Sequence, residues 1–420
     1  MSAAGGGVAG GVAGSGVAQE VAALAAELAA ITTRPWTVME VCGGQTHAIV
    51  RWGLDQLLPP GLELLHGPGC PVCVTPASTI DAALALARRP EVILASYGDM
   101  LRVPGSVPGD DLLGVRAAGG DVQLLTAPQQ AIALARAHPQ RQVVFLAVGF
   151  ETTAPATALL AKQGRALAIP NLSILAAHVR VVPAMEAILA DALPDGPQAG
   201  PLAAGRVDGF LAAGHVATVM GTAELHALAR RRALPVVVTG FEPVDLLRGL
   251  LACVRRLEAG QPGLANAYGQ VVRPQGNPAA QALLAEVFTV VDRPWRGLGV
   301  IPGGGLALAP AWAAFDAEQR FAAKLAASAT PPAPAEAAPE ASPDPCIAAL
   351  VLQGRARPHH CPAFGSTCTP EHPLGAPMVS SEGACAAWFR YRPAQRRSAG
   401  AGATGGAAAD GAGADRHPNR

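Results

Sequence analysis

The chain has 420 residues, half of them hydrophobic and 15% charged, and its 31 basic and 31 acidic side chains give a formal net charge of zero. That balance excludes the electrostatic footprint of a protein that binds nucleic acid or an anionic membrane surface. No long apolar run is free of charge and proline, so no membrane-spanning helix is expected, and the length suits two or three domains.

Residues 1–18 are rich in Gly, Ala, Val and Ser without a basic stretch. They read as a disordered tail and not as a secretory leader. The expectation is a cytoplasmic protein whose cysteines are reduced and available for metal or thiol chemistry. Helical spacing of apolar residues over 19–31 opens the ordered part. Apolar runs then predict strands at 37–41, 63–65, 92–95, 122–124, 143–148, 172–176, 209–212 and 235–238. Amphipathic segments predict helices at 80–88, 127–137, 154–161, 182–192 and 223–232. This alternation argues for an α/β fold of two similar parallel-sheet units facing a cleft, the first over 19–125 and the second over 126–250. A Pro/Ala linker is expected at 327–345 and a second disordered Gly/Ala-rich tail at 396–420.

The polar residues gather in glycine-bearing loops after the strands: Cys42–His47, His66–Cys73, Tyr97–Asp99, Gly149–Thr153, Gly214–His215 and Gly240–Glu242. Open parallel sheets bind ligands beyond the carboxyl ends of their strands, so these loops are candidates to line one cleft.

The chain has eight cysteines. Cys42 closes the first strand ahead of a helix, where the positive helix end should lower its pKa and make it a nucleophile or ligand. The alternative is a buried cysteine at a strand end. Cys70-Pro71-Val72-Cys73 has the spacing of a thiol–disulfide pair, held by Gly67-Pro68-Gly69 in a constrained, accessible loop. A zinc site completed by Cys42 and His66 is the alternative. Cys346, Cys361, Cys368 and Cys385 lie among turn-forming residues with 14, 6 and 16 residues between successive members. Wide, unequal spacing without a CxxC favours a [4Fe–4S] cluster over structural zinc. Cys253, in an apolar run, reads as a small buried hydrophobe. His47 and His215 read equally as hydrogen-bonded histidines. Glu151 and Glu242 each follow Gly-Phe and could each sit at a helix start, as could Glu382.

The segments at 39–49 (MEVCGGQTHAI), 65–76 (LHGPGCPVCVTP), 147–156 (AVGFETTAPA), 214–221 (GHVATVMG), 238–247 (VTGFEPVDLL), 295–305 (WRGLGVIPGGG) and 361–385 (CPAFGSTCTPEHPLGAPMVSSEGAC) resemble the HypD family of hydrogenase maturation proteins. The resemblance runs from about residue 20 to about 393. It implies a third, cluster-bearing domain over 251–395, interrupted by the linker. It also implies a scaffold that works with the chaperone HypC to assemble the Fe(CN)2CO unit of [NiFe]-hydrogenase for the hydrogenase large subunit. Cyanide is expected from HypE, supplied by HypF.

Carried over by position, Cys42 would ligate the iron and Cys70 and Cys73 would be the redox thiols. Cys346, Cys361, Cys368 and Cys385 would hold the cluster. His47 and Glu382 would serve the chemistry, and Glu151, Thr152, His215 and Glu242 would line the cleft. The alternative activity is a cluster-dependent thiol–disulfide reductase. The chain departs from the family pattern at Ala348, Ala349 and Pro377, where cysteine, glycine and cysteine are usual. None of these belongs to the four-ligand spacing.

Overall fold

The structure is a computed structural model whose described residues are 9–107, 109–190, 207–328 and 346–393. Residues 1–8 of the tail expected over 1–18, the tail at 396–420 and the linker from 329 lie outside them, whereas residues 9–18, expected to be disordered, are helical. The first helix runs Ala9–Ile31, reaching back beyond the apolar spacing that begins at Gln19.

The strands are β1 Trp36–Glu40, β2 Leu62–His66, β3 Val92–Ser96, β4 Val122–Leu124, β5 Gln142–Gly149, β6 Leu172–Val179, β7 Gly209–Ala213, β8 Pro235–Thr239, β9 Gly263–Asn266, β10 Phe288–Trp295 and β11 Gly299–Leu308. Every strand expected from an apolar run is present. β3, β6 and β8 are buried along their whole length, as parallel strands covered on both faces must be.

One sheet has the order β2-β1-β7-β8-β9 and is parallel throughout. The other has the order β10-β11-β6-β5-β3-β4, parallel from β6 to β4 with an antiparallel β10–β11 hairpin at its edge. The two sheets therefore interleave along the chain and do not follow the 19–125 and 126–250 division. β4 and β5 flank residue 125 yet share a sheet, and β7 to β9 complete the sheet begun by β1 and β2. An apolar run records that a strand is buried, not which neighbour it pairs with. Residues 263–308, expected in the third unit, also belong to the sheets. β9 is short, and β10 and β11 carry Pro294, Pro302 and a glycine run that reads as turn. Pro294 is tolerated because β10 is an edge strand.

The C-terminal segment 346–393 forms short helices anchored to both sheets. Helix Ala384–Tyr391 packs on helix Gly43–Trp52, while Arg392 pairs with Asp55 and donates to Val50 O at 3.1 Å. From the second sheet, Arg102 donates to Pro370 O at 2.9 Å and Val379 O at 2.8 Å. No helix of the described residues is long and apolar enough to cross a membrane.

Candidate functional site

In the first sheet β1 and β7 are neighbours, and the chain continues from β1 to β2 on one side and from β7 to β8 on the other. Such a reversal splays the loops apart beyond the carboxyl ends and leaves a crevice. Cys42 follows β1 at this point and is the N-cap residue of helix Gly43–Trp52. Its expected low pKa is not found. The residue is partly exposed, but burial of the thiol, reinforced by Glu40 and Glu382, pushes the pKa up to about 12. The amides of Gln45 and Gly44 at the helix start pull the other way and lose to desolvation.

Behind Cys42 lies Glu40, fully buried. Its Oε2 accepts the Cys42 N–H at 2.9 Å, while Oε1 accepts from the Thr46 hydroxyl and pairs with His66 Nδ1 at 2.8 Å. A buried acid persists only when its lone pairs are satisfied in this way. The pair also ties the ends of β1 and β2 together. Gln45 reaches sideways, its Nε2 donating to Ala212 O at 3.3 Å and Thr239 O at 3.4 Å, at the ends of β7 and β8.

The disulfide loop lies against the same backbone. Gly67 N–H donates to Glu40 O at 2.8 Å and Gly43 N–H to Gly69 O at 2.7 Å. A Cβ on Gly69 would overlap the backbone N and Cα of Cys42, so this approach requires glycine. Cys70 and Cys73 are joined in a disulfide with Cα atoms 5.2 Å apart. Cys70 caps helix Pro71–Val74, its Sγ accepting the Cys73 N–H at 3.2 Å. The pair is not in an accessible loop as expected. Cys70 is 3% and Cys73 0% exposed, packed in a core with Val41, Phe150 and Val181. In this state the two sulfurs bond each other and His66 engages Glu40, which leaves no zinc ligand set here.

Two further loops enclose Cys42. His47 Nδ1 lies 2.9 Å from Ser381 O and its Nε2 lies 3.3 Å from the Tyr391 hydroxyl. Glu382 crosses the start of the Cys42 helix, where a Cβ on Gly43 would come within 2.6 Å of Glu382 Cβ. The residue is exposed overall, yet local desolvation and then Asp99 raise its carboxyl pKa, with His47 opposing. On the other side the exposed His215 ring stacks on Phe241 at 3.8 Å between centroids, and partial desolvation lowers its pKa. Phe241 in turn abuts Gly44, where a Cβ would sit 3.3 Å from its Cδ1 and 3.9 Å from Cys42 Sγ.

Glu242 and Glu151 occupy unlike environments despite the shared Gly-Phe-Glu. Glu242 is exposed at the N-cap of helix Pro243–Glu258 without a capping bond. Glu151 is buried, its carboxylate accepting the Val181 N–H at 3.2 Å, with Thr152 partly buried beside it. Burial raises the Glu151 pKa to about 7.

The four C-terminal cysteines, Cys346 ahead of helix Ala348–Leu352, Cys361 and Cys368 in the turns that follow it and Cys385 in helix Ala384–Tyr391, line one small cavity together with Ile347, Phe364 and Met378. Burial, followed by the charges of Cys346, Cys368 and Cys361, raises Cys385 well above its ordinary value, which places all four thiols within electrostatic reach. Among the described residues, no three His, Cys, Asp or Glu side chains are arranged to hold a single metal ion. Ala348 and Pro377 line the same cavity, so the departures there put apolar groups beside the four thiols. Helix Pro71–Val74 packs against the turn Ala376–Met378, which brings the disulfide element onto the cavity wall. Cys253 is buried, as expected.

Sequence reasoning missed Glu40 as the group that joins Cys42, Thr46 and His66, having weighed His66 only as a zinc ligand beside Cys42. The available signal was polar residues closing two otherwise apolar strands, Trp36–Glu40 and Leu62–His66.

The model of the HypD family, described as the hydrogenase formation hypA family, matches residues 17–392. The hydrogenase expression/formation protein HupD of Azotobacter chroococcum mcd 1 is 45% identical over 371 residues, covering 88% of this chain and 93% of that protein. The hydrogenase maturation factor HypD of Azotobacter vinelandii is 44% identical over 371 residues, again 88% and 93% of the two chains. That of Escherichia coli K12 is 43% identical over 369 residues, 88% and 92%.

Proposed function

The chain belongs to the HypD family, and from that premise we propose that it is a hydrogenase maturation factor acting in the cytoplasm as a redox-active scaffold. Its cargo is the Fe(CN)2CO unit, assembled with HypC, supplied with cyanide by HypE and HypF, and passed to the hydrogenase large subunit. The observation that carries the reading is the position of Cys42 at the reversal of strand order, enclosed by the disulfide loop, the Glu382 loop and the His215–Phe241 wall. A thiolate is a soft ligand suited to low-spin iron with cyanide and CO, and surrounding loops that limit solvent suit an oxygen-sensitive cargo.

Cys346, Cys361, Cys368 and Cys385 would hold a [4Fe–4S] cluster. Four thiols lining one cavity, spaced 14, 6 and 16 residues apart without a CxxC, support a multi-iron group over zinc. When bound, the cluster supplies one-electron chemistry. This chain's own residues hold Cys42 by its backbone through Glu40, keep Cys70 and Cys73 out of water, and orient His47 through Ser381 and Tyr391. Burial of the disulfide gives less support to an enzyme that reduces disulfides of other proteins.

Anaerobic co-purification with HypC, followed by infrared spectroscopy and iron and zinc analysis, tests the reading. Cyanide and CO stretches are expected from wild type and none from Cys42→Ala. A full set of bands in that variant excludes Cys42 as the iron ligand, and a colourless, zinc-loaded protein excludes the cluster.

A further inference from the structure

The tip of the β10–β11 hairpin contacts the segments that carry both thiol centres, the turn after Cys73 and the helix after Cys346. Arg296 N–H donates to Val74 O at 2.8 Å, its Nε to Thr75 O at 2.9 Å and its Nη2 to Pro104 O at 2.9 Å. The first two acceptors close the turn that Cys70 opens. On the other side Gln353 Nε2 donates to Gly297 O at 2.7 Å, and a Cβ on Gly297 would come within 2.9 Å of Ala349 Cα. The tip is thus seated on helix Ala348–Leu352, which follows Cys346. Burial lowers the Arg296 pKa, and the nearby acidic groups Asp81 and then the Cys346 thiol oppose that shift. An arginine keeps its charge even when partly buried, so Arg296 is a fixed cation between the disulfide turn and the cysteine cavity.

We propose that Arg296 is a positioning residue with two separable actions, its guanidinium fork tying Thr75, at the end of the turn that carries the Cys70–Cys73 disulfide, to Pro104, and its charge favouring the reduced state of the group held by the four cysteines. The second action rests on reading those cysteines as cluster ligands. Reduction of the disulfide by dithiothreitol breaks the S–S bond and gives two thiols, while the reagent gives up two electrons and two protons and closes its own disulfide. The sulfurs must then separate within a turn that Arg296 clamps from behind. An electron added to the cluster increases negative charge near a fixed cation, which makes that step easier.

The test uses the full chain, purified anaerobically, as wild type, R296K, R296Q and D81N. Lysine keeps the charge but cannot reproduce the fork. Thiol release by dithiothreitol, followed by labelling, is expected to be about tenfold faster in both R296K and R296Q, the equivalent of one lost hydrogen bond. The midpoint of the visible chromophore should fall by about 59 mV, tenfold for one electron, in R296Q and stay unchanged in R296K. D81N, which removes the acid opposing Arg296, should move it the other way. Wild-type thiol release in R296K overturns the brace. A wild-type midpoint in loaded R296Q, or a downward shift in D81N, overturns the charge role. Absence of iron from wild type overturns the cluster reading and the charge role with it, while the thiol assay still decides the brace.

Discussion

Two buried groups, Glu151 in the turn after β5 and His178 in β6, give a stability profile that one substitution should unmask. Glu151 is 2% exposed and His178 0%. Burial raises the Glu151 pKa from 4.5 to about 7, with Arg180 and the Val181 N–H opposing. Burial lowers the His178 pKa from 6.5 to about 4, aided by Arg293 and opposed by Gly149 O. A carboxyl with a raised pKa holds a proton in the folded chain that the unfolded chain has lost. Its contribution therefore declines as pH rises from 4.5 to about 7, by about 1.4 kcal/mol per pH unit. A histidine with a depressed pKa has the opposite sign. Its contribution is present above 6.5 and is lost as pH falls to about 4. The two slopes cancel between about pH 4.5 and 6.5. Glu151→Gln keeps an acceptor for Val181 and removes one slope, so stability of the variant relative to wild type should rise across that window by about 3 kcal/mol. Urea unfolding followed by circular dichroism at half-unit pH steps measures this directly. The difference between the two proteins removes contributions common to both. A difference that is flat with pH refutes the reasoning and means that Glu151 titrates like a solvated acid.

The remaining predictions concern how Cys42 is held. Gly69→Ala drives a methyl group into the Cys42 backbone and disturbs the Gly43–Gly69 hydrogen bond, at a cost of about 2–4 kcal/mol. The same change at Gly114, where a Cβ meets only Asp111 Oδ1 at 3.5 Å within helix Leu112–Ala117, should stabilise by about 0.5–1 kcal/mol. Equal effects of the two in thermal melts would contradict the close approach at Gly69. Glu40→Ala strands His66, Thr46 and the Cys42 amide and should cost about 3 kcal/mol. A loss below about 1 kcal/mol in urea unfolding, on the scale of a single surface contact, would mean that the network does not hold Cys42.

Much of the fold was written in local patterns, because a strand buried on both faces must be apolar along its length, as Val92–Ser96 and Pro235–Thr239 are. Pairing was not written there. β1 and β7 touch although 168 residues lie between Glu40 and Gly209, and the amide of Asp208, just ahead of β7, donates to Thr37 O at 2.8 Å across the gap between the strands. Nothing in either run selects the other, and the choice depends on crossover helices that pack only once the sheet exists. The same holds for the site. The spacing of Cys70 and Cys73 fits the bond they form, and the four C-terminal cysteines do share a cavity. The pKa of Cys42 came out with the wrong sign, because the helix start is a local feature of sequence, whereas desolvation comes from the assembled core against which the residue packs, and the Glu382 charge reaches it from a distant segment. Here the local effect is the weaker one. Two amide dipoles at a helix end cannot offset taking a thiolate out of water beside two acidic side chains, so Cys42 is held as a neutral thiol, and under the proposed role iron would have to displace its proton.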